Sequence, residues 1–449
     1  MDWYQDVFFR TLDALRGRRT IERLHYLRKS QHWDRAQLEV WQLARLNDLL
    51  LQAKKHSPFH AARLSVIELP LTSLKQLESL PILTKNDIRL NQQTIKCSNI
   101  PAERFVESRT GGSTGEPTVY FWDKKGMDWN RASVYRAAEW GNTRLGERTV
   151  QMSGSHFDYT QSQRLQNKIV YFLQRYRDYP VGFLTKEILE NYYQNFMRFK
   201  PSSIWGYASG VAIFADYIKQ HHSQDDFSFL RAIMTSSEKL WPHQRALIND
   251  VFQGEKVFDQ YGSRELYIAS ECSVHQGYHV HGEVVIVEIV RADGRQCEPG
   301  ELGKVVITDL SNHAFPFIRY EIGDLGILEH PQQCQCGKHL PKLRSIEGRI
   351  ADVITLSDRV LTPPNFTIIF SDIRGVKAFQ IRQDALDQLD ILIVPDENYS
   401  DASNDYIKSS IEKMVDGKAS VNVHLVNDIE VPESGKRRFV VSTVSSQHF

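Results

Sequence analysis

The segment Ser108-Arg109-Thr110-Gly111-Gly112-Ser113-Thr114-Gly115-Glu116-Pro117 interleaves glycines with hydroxyl side chains. Glycine lets the backbone turn so that successive N–H groups and Oγ atoms converge, and the natural object of such convergence is a polyphosphate. The lysine that closes a Gly-x4-Gly-Lys-Ser/Thr loop is absent, which disfavours an ordinary P-loop NTPase. A second group has metal-ligand character. Cys334-Gln335-Cys336-Gly337 brings two thiols together on a tight turn, with Cys272, His275, His279 and His281 upstream. In a reducing compartment, paired cysteines near histidines suggest zinc rather than a disulfide. Cys97 and Cys297 lack partners at useful spacing and read as ordinary small residues.

These groups sit in a chain of 449 residues with 55 Lys and Arg, 55 Asp and Glu, and 41% hydrophobic residues. That length supports two or three cores, and the charge balance argues against a general nucleic-acid binder. The five cysteines are too few and too scattered to staple the chain by disulfides. No apolar run approaches the roughly 18 residues of a membrane span, and Asp2 and Asp6 break any signal-peptide pattern, so a cytoplasmic protein is expected.

The elements that must position the chemistry follow from periodicity. Leu43, Leu46, Leu50 and Ala53 form a helical stripe that Ser57-Pro58 ends. Before it, Phe8, Phe9, Leu12 and Leu15 alternate with arginines, and this stretch is expected to pack on the protein's own body. Thr84 caps a helix, with Asp87 three positions on. Between about 165 and 255, helical patterns (165–176, 188–199, 211–221, 244–252) alternate with short apolar strands such as 203–205 and 232–234, the mark of a layered α/β domain. From 279 to 330 the pattern turns β-rich, at 284–290, 304–308 and 317–320. After a hinge near 345–352, a β-β-α-β order fills the last hundred residues, with strands at 378–381, 389–394 and 421–426 and a helix near 405–414. The expected fold class is α/β: a large layered domain over 1–345, including a β subdomain over about 279–330, and a small mobile α+β domain over 346–449.

Four further segments follow the glycine-rich loop in order: Asp259-Gln260-Tyr261-Gly262-Ser263-Arg264-Glu265, Arg319-Tyr320-Glu321-Ile322-Gly323-Asp324, Gly348-Arg349 and Glu433-Ser434-Gly435-Lys436-Arg437-Arg438. Together they resemble the ordered signature of the adenylate-forming superfamily. With Leu80 to Asp87 and the Cys-x-Cys-Gly segment, the resemblance is strongest to the phenylacetate-CoA ligase branch and its CapK-like, capsular-polysaccharide members. It spans roughly residues 40 to 445.

The resemblance implies an ATP-dependent, AMP-forming ligase that activates a carboxylate as an acyl adenylate and releases pyrophosphate. An anion attacking a phosphate needs cations and N–H donors in a site screened from water. By that likeness Thr110, Gly111, Gly112, Ser113, Thr114 and Gly115 hold the departing phosphates, and Glu265 takes Mg2+. Tyr261, with Gly262, Ser263 and Arg264 beside it, lies against the adenine, whose edge Ser236, Ser237 and Glu238 line. Asp324 accepts the ribose hydroxyls. Lys436 bridges the acid and the α-phosphate, and Arg349 steadies ribose or phosphate as the small domain swings. Glu116 stands where many relatives carry Lys, and Arg264 where they carry a hydroxyl residue; Arg264 either pairs with Glu116 or binds an acidic group of the substrate.

The same likeness assigns Cys272, His279, Cys334 and Cys336 as a closed, structural zinc set, with His275 or His281 as alternatives to His279. For function it implies transfer of the acyl group to an amine or hydroxyl acceptor in surface-polysaccharide biosynthesis. The alternatives are an aryl- or acyl-CoA ligase, with coenzyme A as acceptor, and a degenerate nucleotide-binding interaction protein. The implied partners are a small or sugar-linked carboxylic acid and its acceptor, with no nucleic acid.

Overall fold

A computed structural model describes residues 4–109, 118–153, 171–181, 184–238, 240–291, 293–331 and 333–347, and towards the C-terminus 354–358, 360–361, 366, 369–370, 373, 375–429, 440–442 and 444. The described residues form two compact units, one from the stretches up to 109, 118–146 and 258–347, the other from 147–257 and the C-terminal part.

The first unit begins with helices whose ends are written locally. Asp34 and Gln37 form a reciprocal capping box that opens Arg35–His56, and Ser57, with Pro58 behind it, ends that helix and caps Pro58–Arg63. Leu46, Leu49, Leu50 and Ala53 are fully buried on one stripe. Thr84 and Asp87 form another capping box before Lys85–Ile95, as the spacing predicts. Of the basic N-terminal stretch, Phe8, Phe9 and Leu12 pack inward with Tyr135 and Leu145, whereas Leu15, expected on the same side, is exposed.

These helices cover an antiparallel sheet whose neighbouring strands are Val285–Val290, Leu302–Asp309, Tyr320–Leu328, Lys342–Glu347, Tyr278–Val280, Tyr267–Ser270 and Val257–Gly262. The strand expected at 317–320 instead starts at Tyr320 and runs to Leu328. Phe317 and Ile318 are buried before it, so their apolar character reports burial rather than a ladder. A separate hairpin pairs Phe105–Arg109 with Val119–Asp123, the two strands that flank residues 110–117.

In the second unit four parallel strands lie in the order Ala232–Ser236, Ser203–Tyr207, Thr149–Met152, Tyr176–Asp178. Helices Lys186–Phe199, Ala208–His221 and Pro242–Val251 supply Leu189, Phe196, Phe214, Ile218 and Ile248 to the same core as Val150, Ile204 and Ile233. The alternation of strand and helix is that expected for a layered α/β region. Towards the C-terminus, strands Ser420–Leu425, Gln388–Pro395, Val376–Ala385 and Val440–Ser442 form a mixed sheet that buries Ile381, Ile391 and Ile393 with Ile407 and Ile411 of helix Asp401–Val415.

Candidate functional site

The first constellation forms at the end of the antiparallel sheet. Cys272 follows the strand Tyr267–Ser270, His279 lies in Tyr278–Val280, and Cys334 and Cys336 sit on a turn closed by the Gly337 N–H on the Cys334 carbonyl. Gly277, at φ +73°, is required beside them, because a Cβ there would fall 2.4 Å from the Leu343 carbonyl oxygen. The four candidate ligand atoms all lie within 4.8 Å of one another. The Cys272 and Cys334 sulfurs are 3.8 Å apart, and His279 Nε2 is 3.2 Å from Cys336 Sγ. Around a tetrahedral zinc, bonds of about 2.3 Å to sulfur and about 2.0 Å to nitrogen put S and S about 3.8 Å apart and N and S about 3.5 Å apart. The donor set and its spacing therefore fit a four-coordinate soft or borderline cation.

His279 Nδ1 lies 3.4 Å from the Leu340 carbonyl, which orients the ring so that Nε2 faces the thiols. Hydrogen bonds from Cys272 and His279 hold the Cys336 thiol far below its ordinary value, whereas the Cys272 thiol is pushed up by that same bond and by burial. The other two histidines are placed elsewhere. His281 accepts from Arg136 at 2.8 Å on Nδ1, and lies against Tyr267 and Trp140. Arginine can only donate, so this ring is the neutral Nε2–H tautomer, and burial lowers its pKa well below the usual range. His275 lies 3.7 Å from Glu271.

The second constellation is a pair of carboxylates held by tyrosines in the same unit. Glu265, 4% exposed, accepts from the Tyr320 hydroxyl at 3.0 Å. The turn before it is tight: the Ser263 N–H reaches the Leu266 carbonyl, Ser263 Oγ accepts from the Glu265 N–H, and a Cβ at Gly262 would lie 2.9 Å from the Leu266 oxygen. Tyr120, buried, fixes the backbone further through the Arg264 carbonyl at 2.6 Å, while the Arg264 side chain is exposed. Burial pushes the Tyr120 phenol up, so it stays a donor.

Asp324 accepts from the Tyr261 hydroxyl at 3.0 Å. It lies within an irregularity in the ladder, where register shifts between the pairs Lys304–Leu325 and Val306–Glu321, and Gly323 sits at φ +90°. A bulge of this kind re-aims the side chains it carries. Arg319, in the same motif, is 1% exposed at φ +51° and pairs with buried Glu288, with further bonds to the carbonyls of Leu80, Glu78 and Gly294. Its place in the motif is thus structural: it ties the Leu80–Thr84 segment to the strand that bears Asp324, where Leu83 bridges Tyr320.

In the second unit, Ser236 ends its strand, Ser237 turns at φ +72°, and Glu238 Oε2 accepts from the Ser209 N–H at 2.9 Å. Thr110, Gly111, Gly112, Ser113, Thr114, Gly115, Glu116, Arg349 and Lys436 lie outside the described residues. Tyr320 and Tyr120 were missed as partners. Tyr320 stands inside a recognised motif, whereas nothing near Tyr120 in the chain signals its role.

Residues 353–443 match the CapK C-terminal domain family. Protein CapK of Staphylococcus aureus is 25% identical over 407 residues, covering 87% of this chain and 86% of its own. A phenylacetate-coenzyme A ligase of Thermus thermophilus is 23% identical over 380 residues, covering 81% of this chain and 83% of its own. Among solved structures, 2-hydroxyisobutyryl-CoA ligase in complex with 2-HIB-AMP and CoA superposes with a TM-score of 0.61 at 21% identity, over 92% of this chain and 91% of that one. The same ligase in its postadenylation state gives 0.60 at 19% identity over 92% and 91%. No helix among the described residues is long and apolar enough to cross a membrane. Over most of its length the chain is similar to protein CapK and to a phenylacetate-coenzyme A ligase, its residues 353–443 match the CapK C-terminal domain family, and its fold is that of 2-hydroxyisobutyryl-CoA ligase.

Proposed function

We propose that this protein is an ATP-dependent, AMP-forming ligase that couples a carboxylic acid to an acceptor through an acyl adenylate. The observation that carries the reading is that the two motif carboxylates, Glu265 and Asp324, are each set by a tyrosine hydroxyl in a chain similar to a phenylacetate-coenzyme A ligase over 81% of its length. Thr110 to Gly115 donate to the departing phosphates, Tyr261 lies against the adenine with Gly262, Ser263 and Arg264 beside it, and Ser236 and Ser237 line the base edge. Asp324 takes the ribose hydroxyls. Glu265 would hold Mg2+, which supplies charge neutralisation at the phosphates. Lys436 neutralises carboxylate and α-phosphate as they meet, and Arg349 steadies the nucleotide from the small domain, beyond a division near residue 345.

Cys272, His279, Cys334 and Cys336 would hold a structural zinc, closed to substrate and pinning the end of the sheet. The acceptor in the favoured reading is an amine or hydroxyl on a surface-polysaccharide precursor, with the protein working in the cytoplasm, a reading suggested by the likeness to CapK. The likeness to phenylacetate-coenzyme A ligase supports the thioester as the second reading.

Pyrophosphate release with a panel of carboxylic acids, with and without coenzyme A, amines or hydroxylamine, tests the proposal. Trapping only by an amine or hydroxyl is expected, thioester formation moves the assignment to the second reading, and absence of ATP binding by calorimetry overturns both. Lys436→Ala is expected to slow adenylate formation at least about a hundredfold while transfer from a supplied adenylate stays within about threefold. Equal losses in both steps contradict the role given to Lys436.

A further inference from the structure

Ligands of open parallel sheets bind beyond the carboxyl ends of the strands. Ser203–Tyr207 and Ala232–Ser236 are adjacent parallel strands with Tyr207 opposite Ser236, so the segments that follow them are neighbours at that edge. Tyr207 leads directly into the 14-residue helix Ala208–His221, yet supplies no side-chain cap. The first-turn N–H groups therefore need an acceptor from elsewhere.

Glu238 provides it. Its Oε2 accepts the Ser209 N–H at 2.9 Å, placing a carboxylate at the positive end of the helix. To reach that point the chain turns through Ser237 at φ +72°, a left-handed conformation that costs a serine energy and persists only where neighbouring contacts hold it. Glu238 Oε1 and Ser209 Oγ are both buried. Burial raises the Glu238 pKa despite the Ser209 bond.

The helix start is itself immovable. A Cβ at Gly206 would lie 2.5 Å from the Met152 carbonyl oxygen, and one at Gly210 would lie 2.7 Å from Val181 Cγ1. Backbone packed this closely cannot shift without moving the adjoining strand, so the part that yields when the bond breaks is the loop 236–238.

We propose that Glu238 is a positioning residue, a clamp that fastens the Ser236–Glu238 loop to the fixed helix start at Ser209 so that the base edge is held in place. Resting on the ligase reading, this replaces a direct adenine contact by Glu238 with a bond to the helix start. Loss of the clamp loosens the base edge.

The test uses the full chain with Glu238→Ala, Glu238→Asp and Glu238→Gln, read by amide hydrogen exchange over residues 208–211 without ligand and by KM for ATP and for the acid. Glu238→Ala is expected to speed exchange of the Ser209 N–H about tenfold and to raise the KM for ATP about five- to tenfold, with the KM for the acid and kcat within about threefold. Glu238→Asp, one methylene short, moves the same way if the alanine variant does not fold. Glu238→Gln, whose amide oxygen can accept the same N–H, stays within about twofold of the parent. A rise in ATP KM alone with exchange unchanged identifies a nucleotide contact and overturns the clamp, as does no change in either readout. If the parent releases no pyrophosphate with any acid, the ligase reading fails, and the exchange experiment alone still confirms or overturns the clamp.

Discussion

The Cys/His cluster and the tyrosine-held carboxylates lie in one unit and on one sheet, yet are built to different ends. Cys272, His279, Cys334 and Cys336 converge on each other at tetrahedral spacing, with sulfur facing sulfur. Glu265 and Asp324 each have an oxygen engaged by a phenol instead. A carboxylate offers about four lone-pair sites, so a tyrosine can hold its orientation while a cation or hydroxyl shares it. Mutual convergence suits an occupant that never leaves. Separate, pre-oriented acceptors suit one that must exchange every turnover.

The comparison breaks most visibly at Glu265. Glu265→Gln keeps the shape and removes the charge, and is expected to lower the adenylation rate about 10²- to 10³-fold in a pyrophosphate-release assay while leaving the melting temperature nearly unchanged. Cys334→Ser should do the reverse. Stability is expected to fall by about 3 kcal/mol, lowering Tm by on the order of 10 °C, with zinc lost by elemental analysis and adenylation per folded molecule largely kept. A Cys334→Ser protein as stable as the parent, or a parent without metal, removes the structural role given to the cluster.

Asp309 sharpens the contrast, because it is a buried carboxylate in the same unit whose Oδ2 has no partner among the described residues. Burial raises its pKa to about 6, against the Ser311 bonds that lower it. A raised folded pKa means that its contribution to stability is whole below about 3.8 and is lost as pH climbs through about 6. Asp309→Asn carries no such charge, so its advantage over the parent should grow across that window to on the order of 2 kcal/mol at pH 7, measured by urea unfolding. An advantage that does not vary with pH contradicts the assignment.

The smallest expected effect is at Tyr320→Phe. It removes the bond that orients Glu265 without touching charge, so adenylation should fall about tenfold, together with a higher Mg2+ requirement in the same assay. An unchanged Mg2+ titration means that Glu265 is set by its turn alone.

Much of the fold was legible in the sequence. The cap at Thr84, the stripe through Leu46 and Ala53, and the strand–helix alternation from 186 to 251 are local, and each is specified within a few residues. The strand at 320–328 was placed too early because Phe317 and Ile318 are apolar for burial rather than for pairing. Of the site, motif order supplied the identities of Glu265, Asp324 and the cysteines. It was silent on Tyr120 and Arg136, because their partners lie 144 and 145 residues away in the chain.

By itself the sequence determined the kind of chemistry, since residue types and their order carry the donors, acceptors and thiols that a reaction or a metal demands. Tertiary structure alone decided which of three nearby histidines joins the cysteines, and that Glu238 spends its carboxylate on a helix end. The physical reason is that a ligand is chosen by direction as well as type. The strand that carries His279 ends at Val280, and two residues on His281 meets a buried arginine, which leaves its ring neutral and turned away from the thiols.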